Sequence, residues 1–208
     1  MYPRKIKIIK IINIKFLLII MYMVYLSKFL ILFFLSYPSI AADYFSEIRF
    51  EDRAGRNSLS DSETYGIAFG KYINPNFEID IFTRKKYPHS GISNSRVEIG
   101  AKYKNKLNEN LSFFSRVAIG KKYLHADNYS YWNIENGLKF SINKKLDGIA
   151  SLRFRESFNQ EKWNEFDRTY KMGLIYKISD VYSLTTNFNH ARGESQFDSI
   201  GLNFKVNF

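Results

Sequence analysis

Residues 199–208 read SIGLNFKVNF, in which Ile200, Leu202, Phe204, Val206 and Phe208 alternate with Gly201, Asn203, Lys205 and Asn207. Apolar residues at strict two-residue spacing line one face of an extended strand and have no counterpart on a helix. The same period recurs upstream. Tyr170, Met172, Leu174, Tyr176 and Ile178 alternate with Lys171, Gly173 and Lys177, and Val97, Ile99, Ala101 and Tyr103 with Glu98, Gly100 and Lys102. From Asp43 onward no stretch repeats apolar residues at i, i+3, i+4 and i+7 for long enough to make a helix, so the chain reads as all-β. Ten runs can be placed, beginning near Tyr44, Tyr65, Phe77, Val97, Leu111, Tyr131, Gly148, Arg168, Tyr182 and Ser199.

The connections alternate between two kinds. Asn74–Asn76, Leu107–Asn110, Asn143–Asp147 and Ser179–Val181 are short and rich in Asn and Asp, the residues that favour tight turns. Asp52–Glu63, Tyr87–Arg96, Leu124–Ser130, Phe158–Asp167 and Ala191–Asp198 are longer. A meander with short turns at one end and long loops at the other closes most simply into an up-and-down antiparallel barrel of about ten strands, with both of its termini at the short-turn end.

Upstream of that domain the composition changes. All 20 acids lie at or after Asp43, whereas six of the 31 bases precede it, leaving 25 bases against 20 acids in residues 43–208. Half of the net charge of +11 therefore belongs to the leader, and the balance gives little support to a nucleic-acid partner. Residues 1–42 are basic and then apolar, with FLLII at 16–20 and FLILFFL at 29–35, and they end in SYPSIAAD. That order predicts a secretory signal cleaved after Ala41 or Ala42, with Met21 or Met23 as alternative starts giving a leader of ordinary length. The chain has no Cys, which removes disulfide scaffolds, thiolate metal sites and cysteine nucleophiles.

Alternation alone does not say whether the apolar set meets a core or a lipid, because a soluble ligand-binding barrel has the same period with its faces exchanged. The secretory leader, the unequal connections and the aromatics near strand ends (Tyr72, Tyr87, Tyr103, Tyr123, Trp132, Tyr170, Tyr176, Tyr182) favour a bacterial outer-membrane barrel. With the apolar set outward, the lumen takes the bases Arg49, Arg53, Arg84, Lys86, Lys102, Lys104, Arg116, Lys122, Lys139, Arg153, Arg155, Lys171, Lys177 and Lys205. Its acids are then Glu47, Glu51, Glu78, Asp80, Glu98 and Glu135. FKVNF, with Phe204 and Phe208, looks like the closing strand of outer-membrane barrels that the barrel assembly machinery reads.

On these features residues 43–208 resemble the small porin-like outer-membrane β-barrel proteins of Gram-negative bacteria. FSEIRFEDR, SRVEIGAKYK, NLSFFSRVAIG and DGIASLRFRESF are similar in style to the oligogalacturonate-type porins, whose lumens carry arginine. Those porins have twelve strands, where this sequence supplies ten.

The chemistry-bearing residues are sparse. His89, His125 and His190 are placed in loops or at the rim; His125 has Asp127 two residues on, a commonplace spacing, and His190 has no serine two residues on. Neither clustered metal ligands nor a glycine-rich phosphate loop occurs, so no cofactor, metal or enzyme activity is expected. The excess of lumen bases favours anions over cations in a low-dielectric channel. The expected function is passive passage of small anionic solutes by a monomer in the outer membrane. The alternative is a non-conducting barrel that contacts lipopolysaccharide through whichever of the bases at rim height face outward, among Arg84–Lys86, Lys121, Lys122, Arg153, Arg155, Arg168 and Arg192.

Overall fold

The computed structural model describes residues 43–55, 61–125, 127–159, 166–193 and 196–208. The expected leader, cleavage site and alternative starts lie outside the described residues. Ten strands follow one another: β1 (Tyr44–Gly55), β2 (Ser62–Asn74), β3 (Phe77–Pro88), β4 (Asn94–Lys106), β5 (Leu111–Tyr123), β6 (Asn128–Ser141), β7 (Leu146–Ser157), β8 (Phe166–Lys177), β9 (Tyr182–Gly193) and β10 (Phe197–Asn207). Each pairs antiparallel with its neighbours in sequence, and β1 pairs with β10 to close the barrel. The strands run from 11 to 14 residues. At about 3.3 Å per residue and a usual barrel tilt of about 35–45°, that length crosses the roughly 25 Å apolar band of an outer-membrane barrel.

The short turns are stapled by their own side chains. Asn74 Oδ1 accepts the Asn76 N–H at 2.9 Å and Asn108 Oδ1 the Asn110 N–H at 2.9 Å. Asn143 Oδ1 accepts from Lys145 and Leu146, and Ser179 Oγ from Val181 and Tyr182. These bonds satisfy backbone donors that the ladder leaves over, and each fixes the register of the hairpin it joins.

At the other end the loops are shorter than the sequence suggests. β1 and β2 extend to Gly55 and Ser62, and β3 and β4 to Pro88 and Asn94, because the in-out alternation continues past the last large apolar residue. The hydroxyls of Ser62 and Thr64 and the guanidinium of Arg96 then serve as inward positions.

The register sorts the side chains into two sets. Outward lie large apolar residues left exposed: Ile99 at 58%, Ile119 at 60%, Met172 at 67% and Ile200 at 69%. An apolar surface that encircles the molecule belongs against lipid, not water. Tyr44, Tyr103, Tyr176 and Tyr182 flank this belt on the turn side, and Tyr65, Tyr87, Tyr123 and Tyr170 on the loop side. Tyr72, expected in that girdle, instead faces the lumen. It stands opposite Glu78 in an inward row, and its hydroxyl donates to Asn207 Oδ1 at 2.9 Å.

The seam is closed by Phe208, whose N–H and C=O exchange hydrogen bonds with Tyr44 at 2.9 Å each. Its ring stacks on Tyr44 at 6.4 Å between centroids, and Phe204 stacks on Tyr182 at 5.9 Å. Removing Phe208 deletes both hydrogen bonds and the stack at the first closing pair. The truncated chain is expected to yield less heat-modifiable, folded barrel in gels than the full chain, and equal yields would refute a role for this residue in closure.

Candidate functional site: the charged lumen

Inside the barrel, the register places every lumen residue named from the sequence on the inward face and adds three. Among the described strand residues that are not exposed, fifteen inward bases (Arg49, Arg53, Arg84, Lys86, Arg96, Lys102, Lys104, Arg116, Lys122, Lys139, Arg153, Arg155, Lys171, Lys177, Lys205) meet eight inward acids. The acids are Glu47, Glu51, Glu78, Asp80, Glu98, Glu135, Asp147 and Asp167. Arg96, Asp147 and Asp167 escape a sequence reading that ends strands early, since each sits at a strand end taken for loop. Carrying the alternation one pair further would have found all three.

The interior is layered. At mid-height Arg116 holds Asp80 through two bonds, Nε to Oδ2 at 2.9 Å and Nη2 to Oδ1 at 2.5 Å, and reaches Glu98 at 3.3 Å. Glu98 also accepts from the Tyr131 hydroxyl at 2.8 Å. This arrangement depends on a bare backbone, because a Cβ on Gly100 would occupy the space taken by the Arg116 guanidinium. Glu135 accepts from Lys171 at 2.9 Å and from Ser151 at 2.7 Å. Glu51 is shared by Arg53 at 2.6 Å, Ser199 at 2.5 Å and Asn189 at 3.1 Å.

Towards the turns, Asp147 receives Lys139 at 3.0 Å and Lys177 at 2.9 Å, while Glu78 pairs with Lys104 and Lys102. Arg49 bridges to Glu47 at 2.9 Å, and at the loop end Arg155 pairs with Asp167. Arg84, Lys86, Arg153 and Lys205 make no ion pair among the described residues. Arg84 stands in register beside Arg96, which stands beside Lys122, so three bases on adjacent strands form one inward row. Like charges directly across a ladder repel, and the row raises the positive potential of the loop-end mouth.

The walls differ. β9 and most of β10 present Ser183, Thr185, Asn187, Asn189, Ala191, Ser199, Gly201 and Asn203 to the lumen, none of them charged. Ser183, Thr185, Asn187 and Asn203 remain partly accessible. The inward face of β9 and β10 is thus short and neutral, whereas that of β3 to β8 carries most of the charges together with the buried rings of Phe82 and Phe114.

The histidines stand apart. His89 and His125 are exposed in the loops, and Ala126 between His125 and Asp127 lies outside the described residues. His190 faces outward, and its Nδ1 lies 2.6 Å from Asp198 Oδ1. That partner comes from the next strand, which is why spacing along the chain does not reveal it.

The fold and its two faces define an outer-membrane-type β-barrel. No family model matches this sequence, and no curated protein does. Solved structures do resemble it. The beta domain of the Bordetella autotransporter BrkA superposes with a TM-score of 0.55 at 8% identity, over 80% of this chain and 99% of that one. The KdgM porin in complex with disordered oligogalacturonate gives 0.49 at 11% identity over 79% and 99%, and the NanC porin 0.46 at 9% over 78% and 98%. At these identities the likeness is one of fold.

Proposed function

We propose that the barrel resides in the outer membrane of a Gram-negative cell as a monomer and gives passive passage to small anionic solutes. The observation that carries this reading is the seven-charge excess of inward bases over acids, unbalanced at Arg84, Lys86, Arg153 and Lys205. Fixed positive charge in a low-dielectric pore lowers the barrier for anions and raises it for cations. The proposed route runs along the neutral wall of β9 and β10, where Ser183, Thr185, Asn187 and Asn203 remain partly accessible.

A second reading has its own support. At mid-height Asp80, Glu98, Tyr131 and Asn133 are no more than 6% exposed, which favours an interior filled by paired charges that does not conduct. Barrels of eight strands are just filled by side chains, and ten lies near that limit.

Planar-bilayer recording of the purified barrel separates the two. In a salt gradient the reversal potential is expected to shift towards that of the anion. The variant Arg84→Glu/Lys86→Glu lowers the inward excess from seven to three and is expected to reduce that shift by roughly half. Absence of conductance would put the filled barrel in front, and cation selectivity would refute the assignment of the path.

A further inference from the structure

Outward-facing bases are unevenly placed. Among the described strand residues Lys85, Lys121, Arg168 and Arg192 lie at the loop end, against Lys71 alone at the turn end. Two of the four stand face to face. Arg168 of β8 and Arg192 of β9 are direct register partners, and both are exposed. Two guanidiniums opposite one another on a sheet repel unless an anion sits between them.

Nearby carboxylates do not supply that anion: Glu156, the outward acid of β7 opposite Phe166, makes no ion pair with Arg168 among the described residues. Arg192 Nε donates to His190 Nε2 at 2.9 Å, so His190 carries its proton on Nδ1 and gives it to Asp198 at 2.6 Å. The carboxylate is thereby engaged by the imidazole. The Arg168 guanidinium lies over the Phe166 ring at 4.9 Å and near Phe154 at 5.9 Å, so aromatic faces hold it in place. Neither arginine makes an ion pair among the described residues.

The depth of the pair is set by what lies below it. Two positions down each strand are Tyr170 and His190, and two further are Met172 and Phe188, 67% and 49% exposed in the apolar belt. The guanidiniums thus stand one row above a tyrosine and two above hydrocarbon, where the headgroups of a bilayer lie. Guanidinium forks match the oxygens of a phosphate two at a time, and a pair on adjacent strands, with backbones about 5 Å apart, can take one phosphate from both sides.

We propose that Arg168 and Arg192 form a binding site on the outer wall of β8 and β9 for a phosphomonoester carried by a lipid headgroup, of the kind lipopolysaccharide bears. Phe154 and Phe166 place the guanidinium of Arg168, and His190 places that of Arg192. Acyl chains of the same lipid then lie along Met172, Phe188 and Ile200. The site rests on the outer-membrane placement with the long loops outward, and is independent of whether the lumen conducts.

Native mass spectrometry of the detergent-purified barrel with bisphosphorylated lipid A tests it. The wild-type barrel is expected to retain the lipid, and Arg168→Gln/Arg192→Gln to lower its occupancy about tenfold. Lipid A stripped of its phosphates is expected to be retained no better by wild type than by the variant. Lys144→Gln/Lys145→Gln, which removes the same charge from the turn end, is expected to bind as wild type does. Equal retention by the arginine variant, or equal binding of dephosphorylated lipid A, would overturn the proposal; so would a matching loss in the lysine variant. Displacement by millimolar inorganic phosphate would also overturn it, by assigning the pair to a free anion. Heat-modifiable migration checks the fold of each variant, and if the double variant fails it, Arg192→Gln alone carries the comparison. Failure of the outer-membrane placement would show separately, as recovery of the native chain in the soluble fraction.

Discussion

Replacing Asp80 with alanine is expected to cost the barrel about 3–5 kcal/mol, the penalty typical of breaking a buried ion pair from one side. Asp80 is 6% exposed and accepts from both Nε and Nη2 of Arg116. Without it, Arg116 keeps only the longer bond to Glu98 at 3.3 Å. Reversible urea unfolding from lipid vesicles measures the loss. The double variant Asp80→Leu/Arg116→Met removes both charges and should be less damaged than Asp80→Ala, because the cost lies in orphaning a charge and not in lacking a salt bridge. A single-variant loss below about 1 kcal/mol would mean that water reaches Arg116 and solvates it. The stability measurement therefore also reports on the wetness of the lumen at mid-height, the point that divides a conducting from a filled barrel.

The second large effect is expected on the opposite face. Ile99 is 58% exposed, with Ile81 and Ile119 as its register partners on either side. In a soluble barrel Ile99→Arg at so open a site would change stability by less than about 0.5 kcal/mol. Against lipid near the middle of the bilayer the same change costs about 2–4 kcal/mol. Vesicle refolding distinguishes the two outcomes, and a neutral substitution would refute the lipid-facing assignment of this row.

Strand number and the membership of the two faces are legible in the sequence because both follow from a local period of two, which a closed meander preserves across every hairpin; which face meets lipid does not follow from that period. SIGLNFKVNF at the C-terminus already displays it, and β10 keeps it from Phe197 to Asn207. Strand ends were less legible. Arg96, Asp147 and Asp167 lie where apolar residues give out while the ladder continues, so hydrophobicity stops marking the strand before the hydrogen bonds do. Tyr72 shows the converse error: an aromatic near a strand end suggests a membrane girdle, but its place in the inward row of Glu78 decides otherwise. The pairing of charges was hidden altogether. Arg116 and Asp80 are 36 residues apart and sit two strands from each other, and Arg116 crosses the intervening strand over Gly100 to make the contact. Contacts of that kind arise from the curvature of the closed wall, which a one-dimensional pattern does not encode.

The pairing of β1 with β10 also sets the order in which the molecule can form. Nine of the ten strand pairs join neighbours in sequence, whereas the tenth brings Phe45 to Asn207. Ordering a segment of that length costs about 2 kcal/mol more in chain entropy than closing a single hairpin, by the logarithmic rule for loops. Until β10 meets β1, any paired meander is an open sheet with two bare edges and one apolar side. Such a species is a template for aggregation until the edges meet. Hairpins can zip early, but the step that retires both edges is late and nonlocal, and it is the slowest entropically. The lifetime of the chain before that step, and not the strength of the finished wall, is then what limits how much of it survives to become a barrel.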